Sequence, residues 1–431
     1  VNAQKANNTK EKVRQLQRKL YLAAKRSSKR KFHALYDKVY QKSILEESWR
    51  RVKSNGGAGG IDGMTIEATE RYGLERLMDE IGQELLNGTY RAKPVKRVYI
   101  PKPDGKKRPL GIPVIKDRII QMAAKLVMEP IFEADFKDCS YGFRPKRSAK
   151  QALMKVKEAC DKQGWWVVEA DIQGYFDNIN HDKLMKLVEM RINDRRILKL
   201  VRLWLKAGVM TEGVREESNI GSPQGGVISP LLANIYLHYL DTVWEKRGQQ
   251  LGKLIRYCDD FVIVCRTKRE SEYALKLVKE VMGKLELQLH PDKTGIISTW
   301  NGQNGFDFLG MHHKRYLTET RSGEMYYVLY QYPCKKAMKR MRKMIKEVLS
   351  NRTALKMDIV ELIEIMNRKI RGWRNYYTTE KSWGWLNKID WYIQSLFTRW
   401  DNKKRGKKGY YSGIGKIGKL LNEKGLQKLA A

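Results

Sequence analysis

Two adjacent aspartates, Asp259 and Asp260, interrupt an otherwise apolar stretch at residues 254–265, LIRYCDDFVIVC. Short runs rich in Val, Ile, Tyr and Phe read as strands, so the acids fall at the tip of a hairpin. Hairpin tips favour Asn-Gly or Asp-Gly, because their central residues are pushed towards positive φ. Neighbouring carboxylates also repel unless a cation lies between them. Most Asp-Asp pairs are ordinary loop residues; apolar strands on both sides favour a divalent-cation site on a rigid element. A third acid comes from residues 165–172 (WWVVEADI), a strand that carries Glu169 and Asp171 two apart and therefore on one face. Acids in such a strand are costly to bury unless paired or metal-bound, which makes Asp171 the third carboxylate. Asp177 is assigned the other role open to it, a helix cap.

The remaining chain must supply cations and position these acids. Residues 95–113 (VKRVYIPKPDGKKRPLGIP) predict a hairpin around a Pro-Asp-Gly turn, with Lys102, Lys106, Lys107 and Arg108 near its tip. These are either solvated charges or, in the sharper reading, a clamp on a triphosphate led by Lys102 and Arg108. A helix follows over 115–134, and then Arg144, Lys146 and Arg147 stand just before a second helix that starts at Ser148, where amide dipoles favour a phosphate. In residues 220–240 (IGSPQGGVISPLLANIYLHYL), Pro223-Gln224-Gly225-Gly226 forces a turn whose missing side chains let a nucleic-acid backbone approach. A buried helix runs on from Ser229. Another helix spans 273–285, and a short alternating strand places Lys293 beyond it.

Charge narrows the partners. The 431 residues hold 85 Lys and Arg against 48 Asp and Glu, a formal +37, which points to a polyanion, nucleic acid before a membrane surface. No apolar run approaches the roughly 20 residues that span a bilayer, and no signal-peptide pattern is visible. Five cysteines without CxxC spacing read as free thiols in a reducing compartment, and six histidines without an HExxH or Cys/His cluster leave no zinc pattern. The length accommodates two to three domains. Residues 1–50 form a basic helical extension with Val13, Leu16, Leu20, Leu35 and Val39 at helical spacing; its cations favour a phosphate-facing arm over a merely solvated face. The glycine-rich loop at 55–63 lacks the GK[ST] of a Walker A motif and reads as a turn. Strands close this part at 305–313 and 325–332. From 333 to 400 the composition shifts to basic helices, with five of the eleven tryptophans between 372 and 400. Most of these aromatics are expected in a core, with Lys339, Arg342, Arg371, Arg374, Lys381 and Arg399 facing RNA. Residues 401–431 read as a loosely ordered basic tail.

Six motifs in one order carry a family likeness: RPLGIPVIKDRIIQ (108–121), SYGFRPKRSA (140–149), ADIQGYFDNINH (170–181), SPQGGVISPLLANI (222–235), YCDD (257–260) and GFDFLG (305–310). Together they resemble the bacterial group II intron reverse transcriptases, or maturases, over residues 12–400. YCDD stands where the family usually has YADD, and cysteine is small enough to fit. The resemblance implies an α+β, right-hand polymerase: fingers and palm at 51–332, with an antiparallel palm sheet, and a helical thumb and maturase region at 333–400. It implies RNA-directed DNA synthesis with two Mg²⁺ ions, or Mn²⁺, roughly 3.5–4 Å apart, held by Asp171, Ile172, Asp259 and Asp260. By the same analogy Lys102, Arg108, Ile172, Phe176 and Gln224 bind the dNTP. Phe176 excludes a 2′-hydroxyl, and Lys293 is either a proton donor to pyrophosphate or a solvated lysine. The implied partners are the parent intron RNA, whose splicing the protein assists, an RNA template with DNA primer, target DNA and dNTPs, in the bacterial cytoplasm and away from membranes. Many family members add a C-terminal DNA-binding segment and an HNH-type endonuclease, and this sequence has neither the length nor the clustered Cys/His for the endonuclease. Rival readings are a splicing-only RNA-binding factor and a related reverse transcriptase serving host defence or DNA repair.

Overall fold

A computed structural model of the chain describes residues 2–101, 107–162, 164–211, 214–216, 221, 225–320, 322–406 and 413–430. The first elements are helices α1 (Asn2–Arg26), α2 (Tyr36–Val39), α3 (Lys42–Asn55), α4 (Ile66–Tyr72) and α5 (Leu74–Leu86). The hairpin β1 (Val95–Pro101) and β2 (Lys107–Ile112) leads into α6 (Ile115–Glu133) and α7 (Ala149–Asp161). Then come β3 (Trp166–Asp171), α8 (His181–Glu189), α9 (Arg195–Leu205), β4 (Val209–Thr211), β5 (Val214–Glu216) and α10 (Ser229–Val243). The catalytic-candidate hairpin is β6 (Lys253–Tyr257) and β7 (Asp260–Cys265), followed by α11 (Lys268–Lys284), β8 (Gly295–Ser298), β9 (Gly305–Phe308), β10 (Met311–Glu319) and β11 (Met325–Pro333). Helices α12 (Lys335–Leu349), α13 (Ile359–Tyr377), α14 (Trp383–Lys404) and α15 (Ile414–Glu423) complete the chain.

Local chemistry sets many of these boundaries. Ser148, Thr267 and Asp358 open α7, α11 and α13 with reciprocal capping boxes, each pairing with a Gln or Glu three residues on. Asn180 caps α8, and Asp194 caps α9 while also accepting the amides of Leu35 and Tyr36 at 2.8 Å.

The central sheet runs β6-β7-β3-β8 with antiparallel neighbours. Alternation sends its side chains into two separate cores. Leu254, Val168, Ala170, Phe261 and Ile263 join a large core with α1, α3, α5, α6 and α8–α11. Val167, Ile255, Val262 and Val264 face the other way, into a core shared with α7, β9–β11 and α12–α15. The sheet thus lies between a core built mainly by the N-terminal two thirds of the chain and a second core in which α7 and β9–β11 join the C-terminal helices. The smaller sheets are β2-β1-β4-β5 and β11-β10-β9.

Four expectations need correction. The C-terminal residues are not a loose tail: α15 buries Ile417 and Leu421, Leu429 is also buried, and Asp390 of α14 accepts the amides of Leu429 and Ala430 at 2.8 and 2.9 Å. The Gly/Lys-rich composition hid an apolar face at helical spacing. Asp177 lies inside a short 3₁₀ turn, Tyr175–Asn178, and the cap of α8 is Asn180. The strand near Lys293 follows it rather than preceding it, because residues 285–290 make one isolated bridge, Leu289 to Ile172, before Pro291 starts a 3₁₀ turn. Arg144, expected at a phosphate, is buried. Its guanidinium donates to Glu133 and to the carbonyls of Phe136, Lys137 and Ser140, so its donors are spent within the fold.

Candidate active site

The register of β3 against β7 assembles the acids. Asp171 lies directly opposite Asp260 at the same end of the sheet, so their Cβ atoms are about 4.5–5.5 Å apart. Tyr257 pairs with Asp260, which leaves Cys258 and Asp259 as the two central residues of the hairpin. Of these, Cys258 alone has positive φ, +61°, the pattern of a type II′ turn, in which the first central position is normally glycine. The tip is therefore Cys258–Asp259 and not the Asp pair expected there: Asp260 is already the first residue of β7, and neither aspartate has positive φ. Cys258 is pressed against the segment after α6: a Cβ on Gly142 would collide with its Sγ and amide nitrogen. A side chain at position 142 would displace the turn.

The site is crowded with negative charge. Burial, followed by the charges of Asp171, Asp259 and Glu169, pushes Asp260 up to about 7, while Lys293 opposes the shift. Burial also raises Asp259, with Asp171 adding to the rise and Arg108 and Arg256 pulling it back. Glu169 rises to about 7, through burial and then Asp307. Asp307 in turn meets His312 at 2.6 Å, a contact that no sequence motif announced.

These residues suit a hard divalent cation by donor type: carboxylate oxygens, with a backbone carbonyl as the ligand Ile172 can offer. The bridge beside Ile172 uses the carbonyl of Asp171 and the amide of Gln173, so it leaves the Ile172 carbonyl out of the pairing. No cluster of three or more such ligands is preassembled among the described residues. Lys293 donates to Asp171 Oδ2 at 2.5 Å. The fit is one of charge and donor chemistry, and a divalent cation at Asp171 would have to displace the Lys293 ammonium.

The other candidate residues are distributed as follows. Arg108 is exposed on β2, on the side from which its charge acts on Asp259. Phe176 is half-buried and packs edge-on against Tyr175 at 5.4 Å, whose hydroxyl donates to the Ala233 carbonyl of α10 at 2.5 Å. Lys102 and Gln224 lie outside the described residues. Next to Gln224, Gly225 packs against β2, since a Cβ there would lie 2.5 Å from the Gly111 carbonyl oxygen. Two residues on, the amide of Val227 donates to Gln121 at 2.9 Å, so the turn is held against both β2 and α6.

Of the cations expected at RNA, Lys146, Lys339, Arg342, Arg371 and Lys381 are exposed. Arg147 pairs with Asp138 at 2.5 Å and lies over Tyr141, Arg342 lies over Tyr392, and Arg374 donates to the Lys428 carbonyl. The tryptophans divide: Trp400 is buried and Trp385 stacks on Tyr332 at 3.7 Å, whereas Trp383 and Trp391 are 63% and 56% exposed.

Sequence reasoning missed the group behind the turn. Arg256, fully buried, donates to both carboxylate oxygens of Asp241, at 2.8 and 2.6 Å. A charged residue inside an apolar strand was the available signal.

Comparison with known proteins identifies the family. Residues 100–313 match the model of the family described as reverse transcriptase (RNA-dependent DNA polymerase), and residues 338–417 match the group II intron maturase-specific domain. Protein YkfC of Escherichia coli is 37% identical over 354 residues, covering 73% of this chain and 91% of YkfC. The group II intron-encoded protein LtrA of Lactococcus lactis is 41% identical over 211 residues, which is 49% of this chain and 35% of LtrA. A distant likeness extends to the solved telomerase of Candida albicans, at 11% identity and a TM-score of 0.42, over 84% of this chain and 66% of that one. Among the described residues no helix is long and apolar enough to cross a membrane. With a reverse transcriptase region and a maturase-specific region in tandem, the chain belongs to the group II intron reverse transcriptase/maturase family, whose members are RNA-directed DNA polymerases.

Proposed function

We propose that this chain extends a DNA primer on an RNA template with Asp171, Asp259 and Asp260 as its catalytic carboxylates. The observation that carries this reading is the register: one strand pairing sets Asp171 against Asp260 and puts Asp259 on the adjoining turn. Asp171, Asp259 and the Ile172 carbonyl would hold Mg²⁺ or Mn²⁺, with Asp260 beside them. When bound, the cations lower the barrier to attack by a primer 3′-hydroxyl and neutralise charge on the departing pyrophosphate. Lys293, released from Asp171, is then a mobile ammonium beside the carboxylates, able to pass a proton to pyrophosphate. Lys102 and Arg108 grip the triphosphate from the finger hairpin, and Gln224 contacts the nucleotide from its turn. Phe176 packs edge-on against Tyr175, which is itself anchored to α10, and this support suits a steric gate against a 2′-hydroxyl.

The same chain would bind its parent intron RNA and assist its splicing in the bacterial cytoplasm. Its surfaces for this are the exposed cations of α1 and of α12–α14, beside Trp383 and Trp391. Mobility into target DNA would use the same polymerase centre. Binding should weaken steeply with salt, by about 0.7–0.9 log units in affinity per log unit of salt for each phosphate neutralised.

Primer extension on an RNA template tests the proposal directly. Asp259→Asn is expected to abolish cDNA synthesis while leaving RNA affinity intact, and retained extension would refute the assignment. In the same assay Phe176→Ala should lower the preference for dNTPs over rNTPs on the order of 10²-fold; an unchanged preference removes Phe176 as the gate.

A further inference from the structure

Arg256 stands two residues before Cys258, and its side chain lies buried in the body of the protein beneath the turn. Its side chain is 0% exposed, and so is that of its partner Asp241 at the end of α10. A guanidinium has five N–H donors, and here five bonds use them. Nε and Nη2 donate to Asp241, Nη2 also to Ser140 Oγ at 2.8 Å, and Nη1 to Asn234 Oδ1 at 3.3 Å and to the Cys258 carbonyl at 2.7 Å. The backbone of Arg256 is tied to the same neighbourhood. Its amide donates to the Cys139 carbonyl at 2.7 Å and its carbonyl accepts from the Tyr141 amide at 2.8 Å. Asn234 closes the knot by donating to the Gly142 carbonyl at 2.7 Å.

Stability alone does not account for such a group. A buried ion pair gains little over well-packed apolar side chains of the same volume, because both charges must first leave water. What an apolar cluster could not do is hold the Cys258 carbonyl. That carbonyl belongs to the central peptide of a two-residue hairpin, the peptide whose orientation separates type II′ from type I′ turns. Turned towards Arg256, it leaves the next residue at negative φ; flipped, it would force Asp259 to positive φ and swing its side chain elsewhere.

We propose that Arg256 is a positioning residue for the polymerase reaction: its bond to the Cys258 carbonyl selects the peptide orientation that aims Asp259 at the cation site. Asn234 and Ser140 orient the guanidinium for that task, while Asp241 neutralises its buried charge. The inference rests on the polymerase reading above, and wild-type extension tests that reading separately.

Arg256→Lys keeps a charge opposite Asp241 but loses the fork that reaches the carbonyl. The expected result is a fall in the single-turnover extension rate at saturating dNTP, on the order of 10²-fold, since a misplaced reacting group costs that much. The KM for dNTP and the affinity for template–primer should stay close to wild type, and the melting temperature should fall no further than in Asp241→Asn. Asp241→Asn is the companion: it weakens the pair yet leaves Arg256 beside Cys258, so it should lower the melting temperature far more than the rate. A rate that follows the melting temperature in both variants, or a loss that appears in KM or template affinity, overturns the proposal. So does an Arg256→Lys enzyme of wild-type rate. Should Arg256→Lys not fold, Asp241→Asn decides: rate preserved despite lower melting supports the positioning role, and rate lost in step with melting removes it.

Discussion

Two ion pairs of nearly equal length flank the catalytic-candidate hairpin, and they do opposite things. Lys293 meets Asp171 at 2.5 Å on the cleft side, with side chains 58% and 30% exposed. Arg256 meets Asp241 at 2.6 Å on the far side of the sheet, both 0% exposed. In front, water stands ready to replace either partner, so the pair is weak and can be opened by a competing cation. Behind, neither charge can part without being left unsatisfied in a dry interior. The rear pair is therefore a permanent strut, and the front pair an exchangeable placeholder.

Breaking the rear pair should have the largest effect. Asp241→Ala leaves the Arg256 charge buried alone and should cost about 3–5 kcal/mol in urea unfolding. A loss below about 1 kcal/mol would mean that water reaches the pair. Lys293→Ala should split the two readouts: under about 1 kcal/mol in the same unfolding experiment, yet on the order of 10²-fold in single-turnover rate if the lysine delivers a proton. An unchanged rate would reduce Lys293 to a solvated counter-charge.

The smallest effect is on pH dependence, and only the front should show it. Burial raises Asp260 and Glu169 to about 7 from ordinary carboxylate values. Groups raised in this way favour the folded state while protonated. Their contribution is complete below about pH 4 and is lost as the pH rises through 7. Without divalent cations, wild type should thus lose melting temperature relative to Asp260→Asn between pH 5 and 8, and Mg²⁺ should restore it. A parallel pair of pH profiles would contradict the charge crowding at the front. Arg256 is driven further up by Asp241 and stays charged throughout, so the rear pair adds no such slope.

Much of the front was legible in the residues. Glu169 and Asp171 two apart on an apolar strand, the Asp pair between apolar runs, the Pro-Asp-Gly hairpin and Ser148 at a helix start are local signals, because strand alternation, turns and caps act over a few residues. The rear was not. Asp241 lies 15 residues from Arg256 and Ser140 lies 116, so nothing local marks them as partners. Arg144 was misread for another reason: its acceptors, Glu133 and the carbonyls of Phe136, Lys137 and Ser140, lie within 11 residues, but only the fold of the loop after α6 brings them round a residue that its basic run marks as a phosphate contact.

By itself the sequence determined the strands and helices, the acids and the family motifs, since hydrophobic periodicity and backbone chemistry are properties of neighbours in the chain. Tertiary structure alone decided which acid faces which, which cations are spent inside the fold, and what holds the turn beneath Asp259. Those outcomes depend on register and on burial. A shift of one residue would turn Asp171 to the other face of the sheet, and the same guanidinium that is a surface charge in water becomes a fixed five-pronged support once water is removed.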